Sequence, residues 1–415
     1  MLKQKRNNKI LVLSDDPISD RVAGLGMRYL EIAKALSKEH DVTLFSTSEI
    51  TKNIKDLKYL SAPVFRTINL GIKILLPNSK LKKEILEYDA ILTQGITLTN
   101  LGLLTKFKKP ILFDLYCPWF FENLEAQRNL GHKIEKINLN PLLNILRRGD
   151  FFICANEKQR DLYLGLLAAT GRITPKIYKE DPALRNLIDI VPTGLSSVSP
   201  QPTQKVIKGI HPGIGEKDKL LIWWGGIWDW LDPFSLLRAL PPILEKRKDL
   251  KLVFFGIKHP SLKQAKPSSA DKSVQLAKEL NLYNKNVFFL EEWAPYEERG
   301  NWLLESDLGV MTYTQNLETR FSWRTRVLDY LWADLPVIIS EGDAMADLVK
   351  NHNLGRVVKS SDPASIAQAV LELLDHPDEY SKIKKNIQNF KPQLNWENTI
   401  IPIHAFLQKC NMRKL

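Results

Sequence analysis

The sequence is poor in the residues that build disulfide frameworks and metal sites. Its 415 residues include three cysteines, Cys117, Cys154 and Cys410, and no two of them form a CxxC pair. This set predicts neither a disulfide framework nor a zinc site, and it favours a reducing compartment. The seven histidines are scattered and a DxD motif is lacking, so no group of ligands indicates a metal ion. We expect no metal and no cofactor.

Long apolar segments are also missing. No stretch approaches the 18 or so apolar residues of a membrane-spanning helix. The apolar run at 10–13 is too short for the core of a signal peptide. We therefore expect a cytoplasmic protein, and we leave open a peripheral contact at the inner face of the cell membrane.

The composition is that of a folded chain with more than one domain. Hydrophobic residues make up 44% and charged residues 26%, which excludes collagen-like and disordered classes, and the length favours two or three domains. Lysine and arginine exceed aspartate and glutamate by 59 to 47, a net charge of +12. That excess suggests phosphate-rich ligands, anionic lipid or nucleic acid without choosing among them.

Short apolar runs, separated by helical or loop segments, recur in two halves of the chain. The strand-like runs are 10–13, 42–45, 90–92, 110–115, 151–155 and 189–192 in the first half, and 220–224, 251–256, 286–290, 308–313, 336–340 and 355–358 in the second. This pattern is typical of parallel sheets covered by helices on both faces. The sequence predicts an α/β fold of two tandem, doubly wound, Rossmann-like domains that face a central cleft.

The predicted boundaries follow composition. The first domain is 1–195, and a linker rich in Ser, Pro and Gly occupies 196–219. The second domain is 220–379. The tail at 380–415 is expected to carry little beyond one helix near 400–408.

Candidate site residues lie in the loops after strands, because open parallel sheets bind ligands at the carboxyl ends of their strands. In the first loop, Gly24 and Gly26 precede Arg28, which opens a helix. A nicotinamide dinucleotide site would need a third glycine at Tyr29 and an acidic residue within 42–48, and both are missing. The loop is a candidate for binding an anion or a sugar hydroxyl, and glycines that merely allow close packing are the alternative.

The second domain opens with a strand that runs into Gly225 and Gly226. Two glycines allow a ligand to approach the backbone. Trp228, Asp229 and Trp230 follow in the loop, where they either contact the ligand or pack against the protein.

A third loop carries three arginines within seven residues, Arg320, Arg324 and Arg326, at a helix entrance. Guanidinium groups match phosphate oxygens, and the helix dipole adds to their charge. The alternative is a set of arginines paired with Glu318 or Asp329. Further along, a glycine-opened turn places two more candidates near the same site, Gly342 and Asp343.

The order of these elements resembles GT-B glycosyltransferases, and within them glycosyltransferase family 4, the retaining, nucleotide-sugar-dependent transferases of bacterial surface-glycan assembly. Residues 24–45 resemble that family's amino-terminal glycine loop, helix and second strand, and 189–195 resemble its turn at the end of the first domain. Residues 324–340 resemble its helix-and-strand signature beside the donor. The similarity in order runs from about residue 10 to residue 375.

The resemblance implies that the second domain binds the nucleotide-sugar donor. Asp329 stands where the family usually has a glutamate that holds the nucleotide ribose. The partner glutamate, eight residues earlier, is replaced by Phe321, and the basic residues that commonly follow the glycine turn are replaced by Gly226 and aromatic residues. The three arginines are expected to supply the charge instead, which indicates an atypical subgroup.

The resemblance also implies that the donor diphosphate leaves from the face on which the acceptor hydroxyl attacks, with a donor phosphate oxygen taking the proton. The enzyme then supplies orientation and charge stabilisation, a role that we assign first to Arg324. The family often has a histidine on the acceptor side, where this chain offers Asp114 and Glu122. Asp114 is predicted to contact the acceptor or the transferred sugar, and a structural carboxylate is the alternative.

Two function hypotheses follow. The first is a glycosyltransferase that moves a sugar from a nucleotide-sugar donor to a glycan or lipid-linked acceptor in surface polysaccharide or glycoconjugate biosynthesis. The second, motivated by the missing glutamate at Phe321, is a GT-B-shaped protein that binds a sugar nucleotide or glycan without transferring it. Nucleic-acid binding rests on charge alone, because the sequence has no accompanying motif, and we expect no nucleic acid as a partner.

The excess charge lies mostly in the first half. Residues 1–195 carry 30 basic and 21 acidic side chains, whereas residues 196–415 carry 29 and 26. Lysines cluster at 3–9, 80–83 and 106–109. An exposed basic residue near an anionic bilayer is worth about 1 kcal/mol. We hypothesise that this half contacts the membrane to reach a lipid-linked acceptor, and a merely solubilising surface is the alternative.

Overall fold

The computed structural model describes residues 8–16, 18, 24–47, 54, 57–62, 65–67, 73–75, 79–130, 139–257, 268–291 and 294–412. The chain divides into two compact units. The first unit comprises 1–117, 136–194 and 396–415, and the second comprises 118–135 and 195–395. Residues 118–135, which were predicted to belong to the first domain, thus cluster with the second unit. Residues 396–415, which follow the predicted second domain, cluster with the first unit.

The first unit contains a seven-stranded parallel sheet and a separate two-stranded hairpin. The strands of the sheet are β1 (Lys9–Ser14), β2 (Asp41–Ser46), β3 (Lys58–Ser61), β6 (Ala90–Thr93), β7 (Ile111–Asp114), β8 (Phe151–Cys154) and β9 (Ile188–Ile190), and the hairpin pairs β4 (Phe65–Thr67) with β5 (Lys73–Leu75). The sheet order is β3-β2-β1-β6-β7-β8-β9. Its central strands are fully buried, which explains why they are apolar without alternation.

Helices connect these strands and complete the core of the first unit. They are α1 (Gly24–Ser37), α2 (Ser79–Leu86), α3 (Ile96–Asn100), α5 (Asn140–Arg148), α6 (Glu157–Ala169), α7 (Pro175–Glu180), α16 (Trp396–Thr399) and α17 (Ile401–Met412). Helix α1 buries Tyr29, Ile32 and Leu36, a spacing of three to four residues that places them on one face. The same core includes Trp396 and Ile403 from the two carboxyl-terminal helices, so the end of the chain packs in the first unit.

The second unit is built on a six-stranded parallel sheet of order β12-β11-β10-β13-β14-β15. Its strands are β10 (Lys219–Trp224), β11 (Leu250–Phe255), β12 (Val287–Leu290), β13 (Leu308–Met311), β14 (Val337–Ser340) and β15 (Gly355–Val358). Its helices are α4 (Trp119–Leu130), α8 (Pro233–Lys246), α9 (Ser268–Glu279), α10 (Arg299–Leu304), α11 (Leu317–Phe321), α12 (Thr325–Trp332), α13 (Ala344–Asn351), α14 (Pro363–Asp375) and α15 (Pro377–Phe390), with 3₁₀ turns at Tyr296–Glu298 and Lys391–Leu394.

The prediction of two parallel α/β sheets is confirmed, and every strand-like run in the sequence is a strand. Three strands were not predicted. Strand β3 lies at a sheet edge with the mostly exposed sequence KYLS, and β4 and β5 are three residues each, so none of them has the apolar run of a buried strand. The prediction of a single helix in the tail is wrong, since α15, α16 and α17 all lie there. Ile383, Ile387 and Phe390 of α15 are buried in the core of the second unit.

The chain order places a topological switch point in each sheet. Strand β1 lies between β2 and β6, and β10 lies between β11 and β13. Ligands of such sheets bind beyond the carboxyl ends of the strands at this position. Among the described helices, none combines the length and the apolar character required to cross a membrane.

Candidate functional site

The switch point of the second unit is held open by one tyrosine. Strand β10 is in register with β13 only at Leu221 and Ile222. Beyond them the Tyr330 hydroxyl lies between the strands, 3.1 Å from the Ile222 carbonyl oxygen and 3.0 Å from that of Val310. It also accepts a hydrogen bond of 3.0 Å from the Trp224 backbone N–H. The hydroxyl thus satisfies backbone groups that the diverging strands leave unpaired.

The glycine turn after β10 contacts Arg326. Gly225 has φ +100°, a left-handed conformation that favours glycine. Nη2 of Arg326 donates a 2.9 Å hydrogen bond to the Gly226 carbonyl oxygen, and the guanidinium lies over the Trp223 ring at 5.2 Å. The structure therefore brings together three residues that the sequence predicted as donor ligands: Gly225, Gly226 and Arg326.

Arg326 is a cation without a counter-ion. Its side chain is half-buried, Nη1 is buried with no hydrogen-bond partner, and within the described ranges no carboxylate lies at ion-pair distance from it. Burial, helped by the like charge of Arg324, lowers the pKa of Arg326 to about 10. A desolvated, unpaired guanidinium gains strongly from an incoming anion.

Arg324 has the opposite environment. It is 8% exposed, and its Nη1 and Nη2 donate to the two carboxylate oxygens of Glu318 at 2.9 and 2.8 Å. Its Nε lies 3.4 Å from Oδ2 of Asp343. Burial lowers the pKa of Arg324, but the charge and hydrogen bonds of Glu318, together with the charge of Asp343, outweigh it and raise the pKa. Arg324 is thus paired with Glu318, as in the alternative to a phosphate-binding role. Its catalytic role stays a prediction.

Asp343 and Gly342 shape the turn after β14. Asp343 is fully buried and accepts a 2.7 Å hydrogen bond from the Ala346 N–H, which caps α13. Gly342 has φ +120° and is exposed. The cap and the contact with Arg324 give Asp343 a structural role, and the contact of Gly342 or Asp343 with a ligand stays a prediction.

Asp329, predicted to hold a ribose, is half-buried and already has partners. Its Oδ1 lies 3.1 Å from Nε of Arg299, and the Trp224 side chain donates a hydrogen bond to the carboxylate. Burial raises the pKa of Asp329, and Arg299 partly offsets this. No sequence pattern indicated Arg299, which lies 30 residues away and whose guanidinium is 3.7 Å from the Tyr296 ring centroid and 4.0 Å from that of Trp332.

The tryptophan loop is ordered by stacking. The rings of Trp228 and Trp230 are 5.3 Å apart and nearly parallel at 3°, and both are half-buried. Asp229 accepts a 2.8 Å hydrogen bond from the Ser269 N–H at the start of α9. The loop thus uses these residues at least partly for packing, and their contact with a ligand stays a prediction.

Phe321, at the position where the resemblance led us to expect a glutamate, stacks on Phe121 of α4. The ring centroids are 5.4 Å apart and the planes differ by 7°. Arg320, next to it, is exposed and lies over the Phe321 ring at 5.9 Å. Glu122 follows Phe121 and is half-buried in the first turn of α4. Two stacked aromatic rings, those of Phe121 and Phe321, therefore occupy the position where a glutamate was expected.

In the first unit, Arg28 and Asp114 bind each other. Both side chains are fully buried, with Nε to Oδ2 at 2.7 Å and Nη2 to Oδ1 at 3.1 Å. Nη2 also donates to the Val191 carbonyl oxygen at 2.8 Å, and the guanidinium lies 4.4 Å over the Tyr116 ring. Burial lowers the pKa of Arg28, but Asp114 outweighs this and raises it. The environment of Asp114 is thus that of a structural carboxylate, which was the alternative to its predicted contact with the acceptor.

The glycines before Arg28 lie in α1, which begins at Gly24, so the prediction that they form a loop and that Arg28 opens the helix is wrong. Gly24 is exposed with φ +57°, and a Cβ there would touch nothing within 4 Å. Gly26 is buried in the first turn of α1. Gly24 can approach a ligand, and Gly26 is a packing position.

Asp15, at the carboxyl end of β1, was missed by the sequence analysis. Its carboxylate accepts hydrogen bonds from the backbone N–H groups of Ile96 at 3.3 Å and Thr97 at 3.1 Å, and from the Thr97 hydroxyl. Burial raises the pKa of Asp15 to about 6 despite these bonds. The pattern of an aspartate directly after a buried strand at the switch point could have identified it.

A group of three or more His, Cys, Asp or Glu side chains suited to a metal ion does not occur among the residues that the structure describes. The expectation that the chain uses no metal and no cofactor stays a prediction.

The comparison with known proteins identifies the second unit. Residues 218–376 match the model of the family Glycosyl transferases group 1. This segment is thus similar to a glycosyl transferase group 1 domain. It contains β10 to β15, the glycine turn at Gly225 and the three arginines of the α12 entrance.

The wider comparisons show the fold. A segment of 66 residues is 35% identical to Glucosyltransferase 3 of Streptococcus parasanguinis, and it spans 16% of this chain and 18% of that relative. Sucrose-phosphate synthase from Thermosynechococcus elongatus superposes with a TM-score of 0.66 at 14% identity, covering 98% of this chain and 100% of the other. HepE of Anabaena, solved in complex with UDP and glucose, gives 0.66 at 13% identity with the same coverage. The predicted GT-B fold is confirmed.

Proposed function

We propose that the chain is a glycosyltransferase whose second unit binds a nucleotide-sugar donor at the Gly225–Gly226 turn. The observation that carries the proposal is Arg326, a half-buried guanidinium with an unpartnered Nη1 beside that turn. The match of this unit to a glycosyl transferase group 1 domain supports the same conclusion, as does the fold it shares with a protein solved with UDP and glucose.

The chemistry of the site suits a diphosphate. Gly225 has no side chain in the space next to the Arg326 guanidinium, where a Cβ would lie 3.8 Å from Nη2, so a ligand can approach both the backbone and the cation there. Arg326 lies in the first turn of α12, where the helix dipole also favours an anion. Since burial has removed much of the water around the guanidinium, a phosphate would supply the missing counter-charge at little further desolvation cost.

The reaction we propose proceeds with retention. The bond between the anomeric carbon and the diphosphate oxygen breaks, the acceptor oxygen bonds to that carbon from the same face, and the acceptor proton passes to a phosphate oxygen of the leaving group. The chain supplies orientation and stabilises the charge that develops on the nucleoside diphosphate. We assign the charge stabilisation to Arg326, and we assign to Arg324 the task of holding the α12 entrance through Glu318.

The acceptor we propose is a glycan or a lipid-linked glycan in surface polysaccharide or glycoconjugate biosynthesis. The first unit supports this with an exposed basic surface formed by Lys80, Lys83, Lys106 and Lys108 beside exposed Leu86. Lys109 connects the lysines at 106–109 to the segment after α2, because its ammonium group donates to the carbonyl oxygens of Glu87 and Tyr88. Of the lysine run at 3–9, residues 3–7 lie outside the described residues.

A donor screen tests the function. The full chain is incubated with a panel of nucleotide sugars and a lipid-linked acceptor, and nucleoside diphosphate release is measured. We expect release from at least one donor, with kcat/KM lowered about tenfold or more in Arg326→Gln and unchanged in Arg238→Gln, which alters an exposed arginine of α8. Donor binding without release, across every donor shown to bind, would establish the non-transferring sugar-nucleotide binder instead.

The membrane contact needs its own test. Vesicles of phosphatidylcholine with and without phosphatidylglycerol are sedimented with the full chain at low and at physiological salt. We expect binding only with the anionic lipid, weakened by salt and by Lys80→Gln/Lys83→Gln/Lys106→Gln. Equal sedimentation with both lipids would leave a solubilising surface as the explanation.

A further inference from the structure

A cavity lies in the first unit, at the edge of the sheet where the strands begin. Its volume is about 680 Å³, and its lining includes Pro110, Asp150 and Leu187. Each of these residues directly precedes one of the adjacent strands β7, β8 and β9. The cavity is therefore at the amino edge of the sheet, on the order of 10 Å from Asp114 at the carboxyl end of β7. A ligand bound here is not the ligand of the switch point.

The walls of the cavity combine a flat apolar surface with cations. Phe406 of α17 is half-buried and stacks on Phe151, with ring centroids 4.9 Å apart and planes 8° apart. Ile177 and Leu187 add apolar lining. Four basic residues complete it: Lys108, Lys109, Arg172 and Lys409.

These cations bond only to neutral oxygens, or to nothing. Lys109 donates to backbone carbonyls, Nη1 of Arg172 donates to the Leu146 and Arg147 carbonyls at the end of α5, and Lys409 donates to the side-chain oxygen of Asn186. Lys108 is exposed and makes neither a hydrogen bond nor an ion pair within the described part of the chain. None of the four is ion-paired to a carboxylate there.

The acidic residues of the lining offset only part of this charge, because four cations face Asp181 and Glu180, while the charge of Asp150 is balanced by Arg148. Asp150 is already committed, since its Oδ2 accepts from Arg148 at 2.7 Å and from the Ile111 N–H at 2.9 Å. Asp181 accepts from the Asn186 N–H at 2.6 Å. Glu180 is exposed at the end of α7. Burial lowers the pKa of Arg172, and the charge of Asp150 offsets this only in part.

We propose that this cavity binds a small phosphorylated ligand with a flat apolar group, such as an aryl or nucleoside monophosphate. The ring of the ligand lies against Phe406, and its phosphate lies among Lys108, Arg172 and Lys409. The volume is within the range of small-molecule sites. Because the cavity is lined only by the first unit, its occupancy is separate from donor binding at Arg326.

The test uses phenyl phosphate as the probe and Cys410 as the reporter. Cys410 lines the cavity and is half-buried, whereas Cys117, also half-buried, does not line it. We expect phenyl phosphate to slow alkylation of Cys410 in a saturable way, measured by peptide mass spectrometry on the full chain, and to leave Cys117 unchanged. Inorganic phosphate and benzyl alcohol should each protect at least fivefold less well, because each offers only half of the recognised chemistry.

Variants locate the binding. Lys108→Gln/Lys409→Gln should raise the half-protecting concentration of phenyl phosphate at least fivefold. Lys176→Gln, which removes an exposed lysine of α7 outside the cavity, should leave it unchanged. Arg326→Gln, in the other unit, should also leave it unchanged, so a failure of the donor site is distinguishable. Protection that persists in the double lysine variant would overturn the proposal.

A vesicle arm identifies the source of the phosphate group. Protection of Cys410 by phosphatidic acid vesicles, with none by phenyl phosphate, would assign the cavity to a lipid headgroup, and protection by phenyl phosphate assigns it to a soluble ligand. No saturable protection by either probe would overturn the site altogether.

Discussion

The ring of Tyr330 occupies the space that a side chain on Gly309 would need. A Cβ built on Gly309 would clash with the Cγ, Cδ1 and Cδ2 atoms of that ring. Gly309 belongs to β13 and Tyr330 to α12, and both are buried. Helix α12 can therefore approach the sheet closely enough for the tyrosine hydroxyl to reach the carbonyls of two strands, and it carries Arg326 with it.

Gly309→Ala should destabilise the second unit. The added methyl group must displace a fully buried ring, which costs about 1–3 kcal/mol of the free energy of unfolding. Urea denaturation measures this cost. Gly165→Ala is the matched control, because Gly165 lies in α6 with open space around its Cα, and alanine there should stabilise by about 0.5–1 kcal/mol. Equal effects of the two changes would contradict the packing argument.

Arg324→Ala should lower the free energy of unfolding by about 3–5 kcal/mol, because it leaves Glu318 and Asp343 buried without their cation. The sequence alone predicts that the same change lowers turnover more than about tenfold. Denaturation and turnover measured on one preparation separate the two effects. Adding Glu318→Gln to Arg324→Ala should recover part of the lost stability. If Arg324→Ala alone is as stable as the wild type, Arg324 has no structural role.

Arg326→Gln should show the reverse pattern. Its guanidinium is desolvated and has no carboxylate partner in the described structure, so neutralising it should leave the free energy of unfolding unchanged or raise it by up to about 1 kcal/mol. Donor affinity, measured by calorimetry, should fall about tenfold or more. Loss of stability together with unchanged donor affinity would place Arg326 outside the site.

Asp15 should make stability depend on pH in the acidic range. Its pKa is raised by burial to about 6 from an ordinary 3.8, so the folded state retains the proton more strongly than the unfolded chain. This contribution is full below about pH 4 and is lost as pH rises through 6, a change of about 3 kcal/mol.

Asp15→Asn provides the comparison for that prediction, because an amide keeps an acceptor oxygen but does not titrate. The difference in unfolding free energy between wild type and variant should change between pH 4 and 6.5 and be constant above it. A difference that does not vary with pH would show that Asp15 is not the titrating group.

The stack of Phe121 on Phe321 should be energetically coupled. A double-mutant cycle with Phe121→Ala and Phe321→Ala, followed by urea denaturation, should give a coupling energy of about 0.5–1.5 kcal/mol. Additive effects would show that α4 is held in the second unit by other contacts.

Much of the fold and part of the site follow from sequence patterns. Buried parallel strands such as β1 and β10 are short apolar runs in any sequence context. Their existence, their positions along the chain and the α/β class are therefore predictable. The glycine turn at Gly225 and the arginines at the α12 entrance were found in the same way, because a backbone conformation and a charge are properties of local residue types. Edge strand β3 was missed because exposure on both faces erases the pattern.

Only the tertiary structure decided what each charged group does. Arg324 and Arg326 are equivalent in sequence, yet Glu318 and Asp343 neutralise the first while the second faces a glycine turn without a counter-ion. Arg28 and Asp114, 86 residues apart, proved to be partners, and segments 118–135 and 396–415 cluster with the unit that is distant in sequence. The sequence by itself determined which residue types stand at each strand end. Their pairing and desolvation depend on long-range contacts, and these decide whether a charge is bound within the protein or free for a ligand.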